Sequence, residues 1–134
     1  MTKRFKTLAL VENLGTVLEF LDNCLADTNM KIKSRTVMYV ACEEIFINIS
    51  KYAYKGVGEV EMLFDSDDNQ VRVTFIDEGV PFDPVKHSNP DVSLSADERQ
   101  IGGLGIYIVK KTMDDLVYSY SNQKNHLTLI KNID

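Results

Sequence analysis

The sequence predicts an α+β fold: a two-layer α/β sandwich in which about three helices cover one face of a mixed, mainly antiparallel sheet. Three observations lead there. Strand-like and helix-like segments follow one another in the order β-α-α-β-β-α-β-β along 134 residues. Two pairs of strands are separated by short polar stretches, which joins each pair as an antiparallel hairpin. One segment, SRTVMYVACEEIFINISKYAY, is apolar almost all round, the pattern of a helix buried within the fold.

Residues 4–11 (RFKTLALV) read as the first strand. In residues 13–28, Leu14, Val17, Leu18, Leu21 and Leu25 recur at helical spacing, with Asn13 as the cap. Residues 34–53 form the apolar helix, with Ser34 as its cap and Gly56 beyond its end. Residues 58–65 and 70–77 make a hairpin around DSDDN. Residues 83–101 (DPVKHSNPDVSLSADERQI) are polar, contain two prolines and keep no period. A segment that long without structure is uncommon in a compact domain and reads as a lid or binding loop. Residues 104–115 return to helical spacing through Ile106, Val109, Met113 and Leu116. Strands at 116–121 and 126–131, joined by NQKN, end the order. All of this fits one domain over 1–134, and 44% hydrophobic residues suffice for its core.

Bulk composition narrows the function classes. A net charge of −5 argues against a nucleic-acid partner held by phosphate neutralisation. No apolar run approaches ~18 residues, so no membrane span is expected, and the start does not read as a secretory signal. Cys24 and Cys42 sit in helical patterns without metal-ligand spacing. They read as reduced, packed thiols of a cytosolic protein, and a zinc site is not expected.

The chemistry centres on QIGGLGIYIVKK, residues 100–111. A P-loop needs Lys and Ser or Thr after the last glycine, but Ile106 and Tyr107 follow Gly105. The dinucleotide fingerprint needs a third glycine where Ile108 stands. What remains is a glycine-rich turn entering a helix, where free N–H groups and the helix dipole favour an anion. In the apolar helix, Glu44, Asn48 and Lys51 are spaced i, i+4, i+7 and make a narrow polar stripe. A carboxylate and an amide so placed can supply a base and an oxygen ligand for a hard cation, with phosphates and water completing the shell. In QVRVTFIDEG, strand parity puts Asp77 on the side of Val71, Val73 and Phe75, facing the helices. A buried Asp needs donors, and a base-edge amino group such as adenine N6 would serve, with Gly79 permitting close approach.

The order of these signals resembles the GHKL (Bergerat-fold) ATPase superfamily, the histidine-kinase-like ATPase fold shared by histidine kinases, chaperones, gyrase and MutL-type proteins. Within it, DEGVPFDP and GGLGIYIVKKTMDD resemble the bacterial anti-sigma-factor serine/threonine kinases. The resemblance implies ATP and Mg²⁺ as cofactors. It implies Glu44 as the general base, Asn48 as the Mg²⁺ ligand, and Asp77 as the adenine-amino acceptor with Gly79 beside it. Gly103, Leu104 and Gly105 would form the phosphate-binding segment, and Thr128 would support the adenine site through a water. Residues 83–101 would be the ATP lid, with Arg99 either reaching the γ-phosphate or standing as an exposed lid charge. The departures are Lys51 and Tyr52 beside the metal ligand, where many relatives carry His after the motif. The implied activity is phosphorylation of an anti-anti-sigma (STAS-type) partner by a cytoplasmic homodimer that also sequesters a sigma factor. The competing expectations are a non-catalytic ATP-gated binding module and an ATP hydrolase.

Overall fold

The computed structural model describes residues 2–86 and 103–133. Within them the order is β1 (Thr2–Leu8), a 3₁₀ turn (Val11–Asn13), α1 (Leu14–Ala26), α2 (Ile32–Tyr52), β2 (Glu59–Ser66), β3 (Gln70–Asp77), α3 (Gly103–Thr112), β4 (Asp115–Ser121) and β5 (Lys124–Asn132). The expected succession is therefore present. The five strands form one sheet in the order β1-β2-β3-β5-β4. Every neighbouring pair is antiparallel. The expectation of a mixed sheet is corrected: β3 and β4 run the same way, but β5 inserts between them and removes the parallel pairing.

The period-two pattern of β2, β3 and β5 explains the core. Val60, Met62, Phe64, Val71, Val73, Phe75, Leu127 and Leu129 point to one face and are buried. The helices lie on that face with Val17, Leu21 and Leu25 of α1, Met38, Cys42, Ile45, Phe46 and Ile49 of α2, and Ile106, Val109 and Met113 of α3. Both cysteines are free and buried. Burial pushes both thiols above their ordinary value, which keeps them protonated and unreactive.

Local departures have physical reasons. The 34–53 segment suggested burial all round, yet Val40 is 40% and Tyr52 is 42% exposed. A single helix layer has the sheet on one side only and solvent on the other. Asn13 does not cap α1; its amide donates to the Leu8 carbonyl at 3.1 Å and closes the exit of β1 instead. Ser34 is a buried residue inside α2, which begins at Ile32 after Lys31 without a side-chain cap. Leu116 belongs to β4, opposite Leu129, and not to the α3 stripe. The NQKN turn is shorter than expected. Among the described non-glycine residues, only Asn122 and Gln123 have positive φ, 53° and 62°. That pair makes a two-residue hairpin turn of the primed kind, and Lys124 and Asn125 are already strand.

Gln123 is an L-residue with a side chain in the left-handed region, which disfavours the folded state. Gln123→Gly is expected to raise the unfolding free energy by about 0.5 kcal/mol. Urea melts check it, and a lower midpoint would refute this reading of the turn.

Candidate functional site

A cavity of about 200 Å³ opens where the end of β3, the C-terminal half of α2 and the start of α3 meet. That volume holds a single ring system rather than a whole drug-sized ligand, for which about 300 Å³ is a lower bound. Its walls are mainly apolar, with Ile45, Ile49, Ile106 and Leu127 deep and Tyr52, Phe82 and Tyr118 as aromatic sides. The polar groups lining it are Asn48, Asp77 and Asn125, with the Tyr118 hydroxyl.

Asp77 faces inward as strand parity required and is 6% exposed. Its Oδ1 accepts the Gly79 N–H at 2.9 Å and the Asn125 amide at 3.0 Å. Its Oδ2 has no hydrogen-bond partner among the described residues, so a buried carboxylate oxygen is left for a donor that enters the cavity. Burial raises the Asp77 carboxyl above its usual value, while the bonds from Asn125 and Gly79 and the nearby His126 pull it down.

Gly79 also serves a contact with α2. A Cβ there would overlap the Ala53 carbonyl oxygen and lie 2.6 Å from the Ala53 Cβ. The close approach it permits is to the C-terminus of α2, where Val80 N–H also bonds the Ala53 carbonyl at 3.0 Å. The Tyr54 hydroxyl continues the joint, donating to the Glu59 carbonyl at 2.6 Å and accepting from Glu78 N–H at 2.8 Å. The helix that carries Asn48 and the strand that carries Asp77 are thus fastened together directly beside the cavity.

Asn48 lines the cavity, and its amide makes no hydrogen bond among the described residues. Glu44 lies one turn earlier on the same helix and outside the lining. A Cβ on Gly105 would overlap its Oε2, so the Glu44 carboxylate rests against the first turn of α3. No group of three or more His, Cys, Asp or Glu gathers among the described residues. A hard cation at Asn48 therefore depends on oxygens from a ligand and from water, which suits Mg²⁺ beside phosphates.

Gly103 and Leu104 begin α3, next to this corner. Gly102, Arg99 and most of the expected lid, from residue 87 onward, lie outside the described residues. Lys51 is exposed and away from the lining, whereas Tyr52 is 42% exposed and part of it. Thr128 corrects the expectation. It stands opposite Thr74 and the two hydroxyls bond at 2.8 Å on the sheet face away from the helices. Its neighbours Leu127 and Leu129 take the inward positions, because parity allows only alternate residues to face the cavity. The residue that does stand beside Asp77 is Asn125, which belongs to β5 and not to the expected NQKN turn.

The histidine kinase-like ATPase domain family matches residues 7–131. The serine-protein kinases RsbW of Bacillus thuringiensis (strain Al Hakam) and Bacillus cereus (strain AH820) are 33% identical over 84 residues, which are 59% of this chain and 52% of theirs. The chain thus spans about half the length of the curated relatives it matches. A crystal structure of the RsbU and RsbW domains of a Mycobacterium tuberculosis protein superposes with a TM-score of 0.70 at 14% identity, over 99% of this chain and 32% of that one. The mycobacterial sensor histidine kinase MprB superposes at 0.57 and 15% identity, over 98% of each chain. At such identities the structural likenesses concern the fold. Among the described residues no helix is long and apolar enough to cross a membrane.

Two outcomes are expected from this geometry. Gly79→Ala forces a Cβ against main chain and should destabilise by about 1–3 kcal/mol, read by urea melts. Asp77→Asn should do the opposite. A carboxyl whose folded value is raised contributes stability in full below its unfolded value of about 3.9, and that contribution is lost as pH rises through the folded value. The amide escapes this loss, so the variant's melting temperature relative to the unaltered chain should climb as pH rises from about 3.9 through the folded value and level off above it. A constant difference across pH would show that Asp77 is not strained by burial.

Proposed function

We propose that this chain, which belongs to the histidine kinase-like ATPase domain family, binds ATP with Mg²⁺ in the cavity and acts as a serine/threonine protein kinase. The observation that carries this is the buried Asp77, with an unpartnered oxygen in a ring-sized apolar cavity and Asn48 on the adjoining wall. In this reading Asp77 receives the adenine amino group while Ile45, Ile49, Phe82 and Leu127 cover the ring. Asn48 holds Mg²⁺ against the phosphates, where the ion neutralises charge on the transferring group. The N–H groups around Gly103, Leu104 and Gly105 face the same phosphates. Glu44 swings from Gly105 to take the proton of the attacking hydroxyl. Residues 83–101 act as the lid, and the whole chain as one nucleotide-binding domain.

The acceptor in this proposal is a serine on a small STAS-type anti-anti-sigma partner; the serine-protein kinase relatives named above support a serine acceptor. A cytoplasmic homodimer that also holds a sigma factor completes the regulatory role. The resting place of Glu44 against Gly105 favours one second reading, an ATP-gated binding module without transfer. The two separate in a labelled-ATP assay with the STAS-type protein. Label should reach the partner, fall about a hundredfold or more in Glu44→Ala, and ATP affinity should stay within about threefold. Asn48→Ala should weaken Mg²⁺-dependent ATP binding while leaving the melting temperature unchanged. Tight ATP binding with no label on the partner would leave the gated module; phosphate release without any partner would point to a hydrolase.

A further inference from the structure

β4 closes one edge of the sheet and pairs, among the described residues, with β5 alone. The turn between the two strands tells which of its main-chain groups are open. The two-residue turn at Asn122 and Gln123 closes on Ser121 opposite Lys124 as a hydrogen-bonded pair. Bonded and non-bonded pairs alternate along an antiparallel ladder, so Val117 and Ser119 direct their main-chain groups to β5. Leu116, Tyr118 and Tyr120 turn theirs to the open edge. One of these groups is met locally: the Leu116 N–H donates to the Asp115 carboxylate at 2.8 Å.

The two edges of the sheet are guarded differently. β1, at the far edge, carries Lys3, Arg4 and Lys6 within its seven residues. Antiparallel pairing of β1 with its own copy, centred on Arg4 or on Phe5, sets Arg4 against Arg4 or against Lys6. Like charges directly opposite one another repel, and charged edges resist pairing. β4 has neither charge nor proline from Leu116 to Ser121, and its Val117 and Tyr120 are 49% and 46% exposed. An unguarded edge of that kind is a template for another strand.

We propose that two copies of this chain join through their β4 edges, antiparallel and centred on Tyr118, so that two five-stranded sheets become one continuous sheet. The register follows from the open groups. Tyr118 pairs with Tyr118 of the copy and Leu116 with Tyr120, because these residues alone in β4 turn N–H and C=O outward. Val117 then lies opposite Ser119, and Asp115 opposite Ser121, so no like charges meet. The two-fold axis uses the same surface on both copies and closes that edge, so assembly stops at two. Tyr118 also lines the cavity, which sets the junction beside both sites. The proposal names the surface of the homodimer put forward above and rests on that part of the reading alone.

The test is sedimentation velocity at about 100 µM chain without nucleotide, with melting curves to establish folding. The unaltered chain should sediment as a dimer. Val117→Lys combined with Ser119→Lys sets lysine against lysine across the junction and should lower the dimer affinity about tenfold or more. Cysteines read the register. A mixture of Val117→Cys chains and Ser119→Cys chains, oxidised with oxidised glutathione, should give a mixed disulfide, because those positions face each other. Either variant alone sets its cysteines too far apart to link. Cys24 and Cys42 are buried and do not compete. A folded lysine variant with the unaltered dimer affinity, or a mixture that links no better than either variant alone, overturns the proposal and leaves a homodimer built on another surface. Should the lysine variant not fold, the mixed disulfide decides. An unaltered chain that is monomeric at this concentration removes the homodimer and this inference together, with the nucleotide reading untouched.

Discussion

The site depends on one arrangement: a carboxylate placed on the inner face of a sheet and fixed where the strand ends. A buried Asp is tolerated only if its oxygens are bonded. The protein satisfies one oxygen from its own chain, through Gly79 N–H and Asn125, and leaves the other to the cavity. The surrounding segment follows from that choice. Asn125 also ties down the carbonyls of Gly79 and Val80 and the N–H of Phe82, so the chain leaving β3 is held as the wall of the cavity. Tyr118 on the edge strand joins through its hydroxyl.

The helix side depends on a contact with no room for a side chain. Gly79 lies against the Ala53 carbonyl, and this main-chain contact sets how near α2 comes to the end of β3. Tyr54 reinforces it by bridging the start of β2 and the exit of β3. α2 therefore has two tasks. Met38, Cys42, Ile45, Phe46 and Ile49 fill the core. Asn48, one helical position before Ile49, is left at the cavity edge with its amide uncommitted. The glycine of α3 has the matching task toward Glu44, whose carboxylate rests where a Cβ would be. An acidic group near the first turn of a helix sits in a favourable field, which steadies the Glu44 carboxylate outside the cavity lining.

The fold was legible because its signals are local. Alternation in β2 and β3 and the helical spacing of α1 and α3 depend only on which residues are apolar. Asp77 was legible for the same reason, since parity within one strand places it with Val71, Val73 and Phe75. Glu44 and Asn48 were legible as a helical pair. Thr128 was expected at the site from the family resemblance, against the parity that Leu127 and Leu129 set within β5. Asn125 was not legible, because its place opposite Asp77 depends on the pairing of β5 with β3, between residues about fifty positions apart.

The sequence by itself determined the element order, the apolar face of each element, the inward Asp77 and the Glu44–Asn48 pair. Periodicity and parity act within one segment and need no partner. Only the tertiary structure decided that all strand pairs are antiparallel, that Gly79 serves helix contact, that Thr128 bonds Thr74, and that Asn125 orients Asp77. Each of these is a relation between segments distant in the chain. Hydrogen-bond direction and excluded volume become definite only when those segments meet.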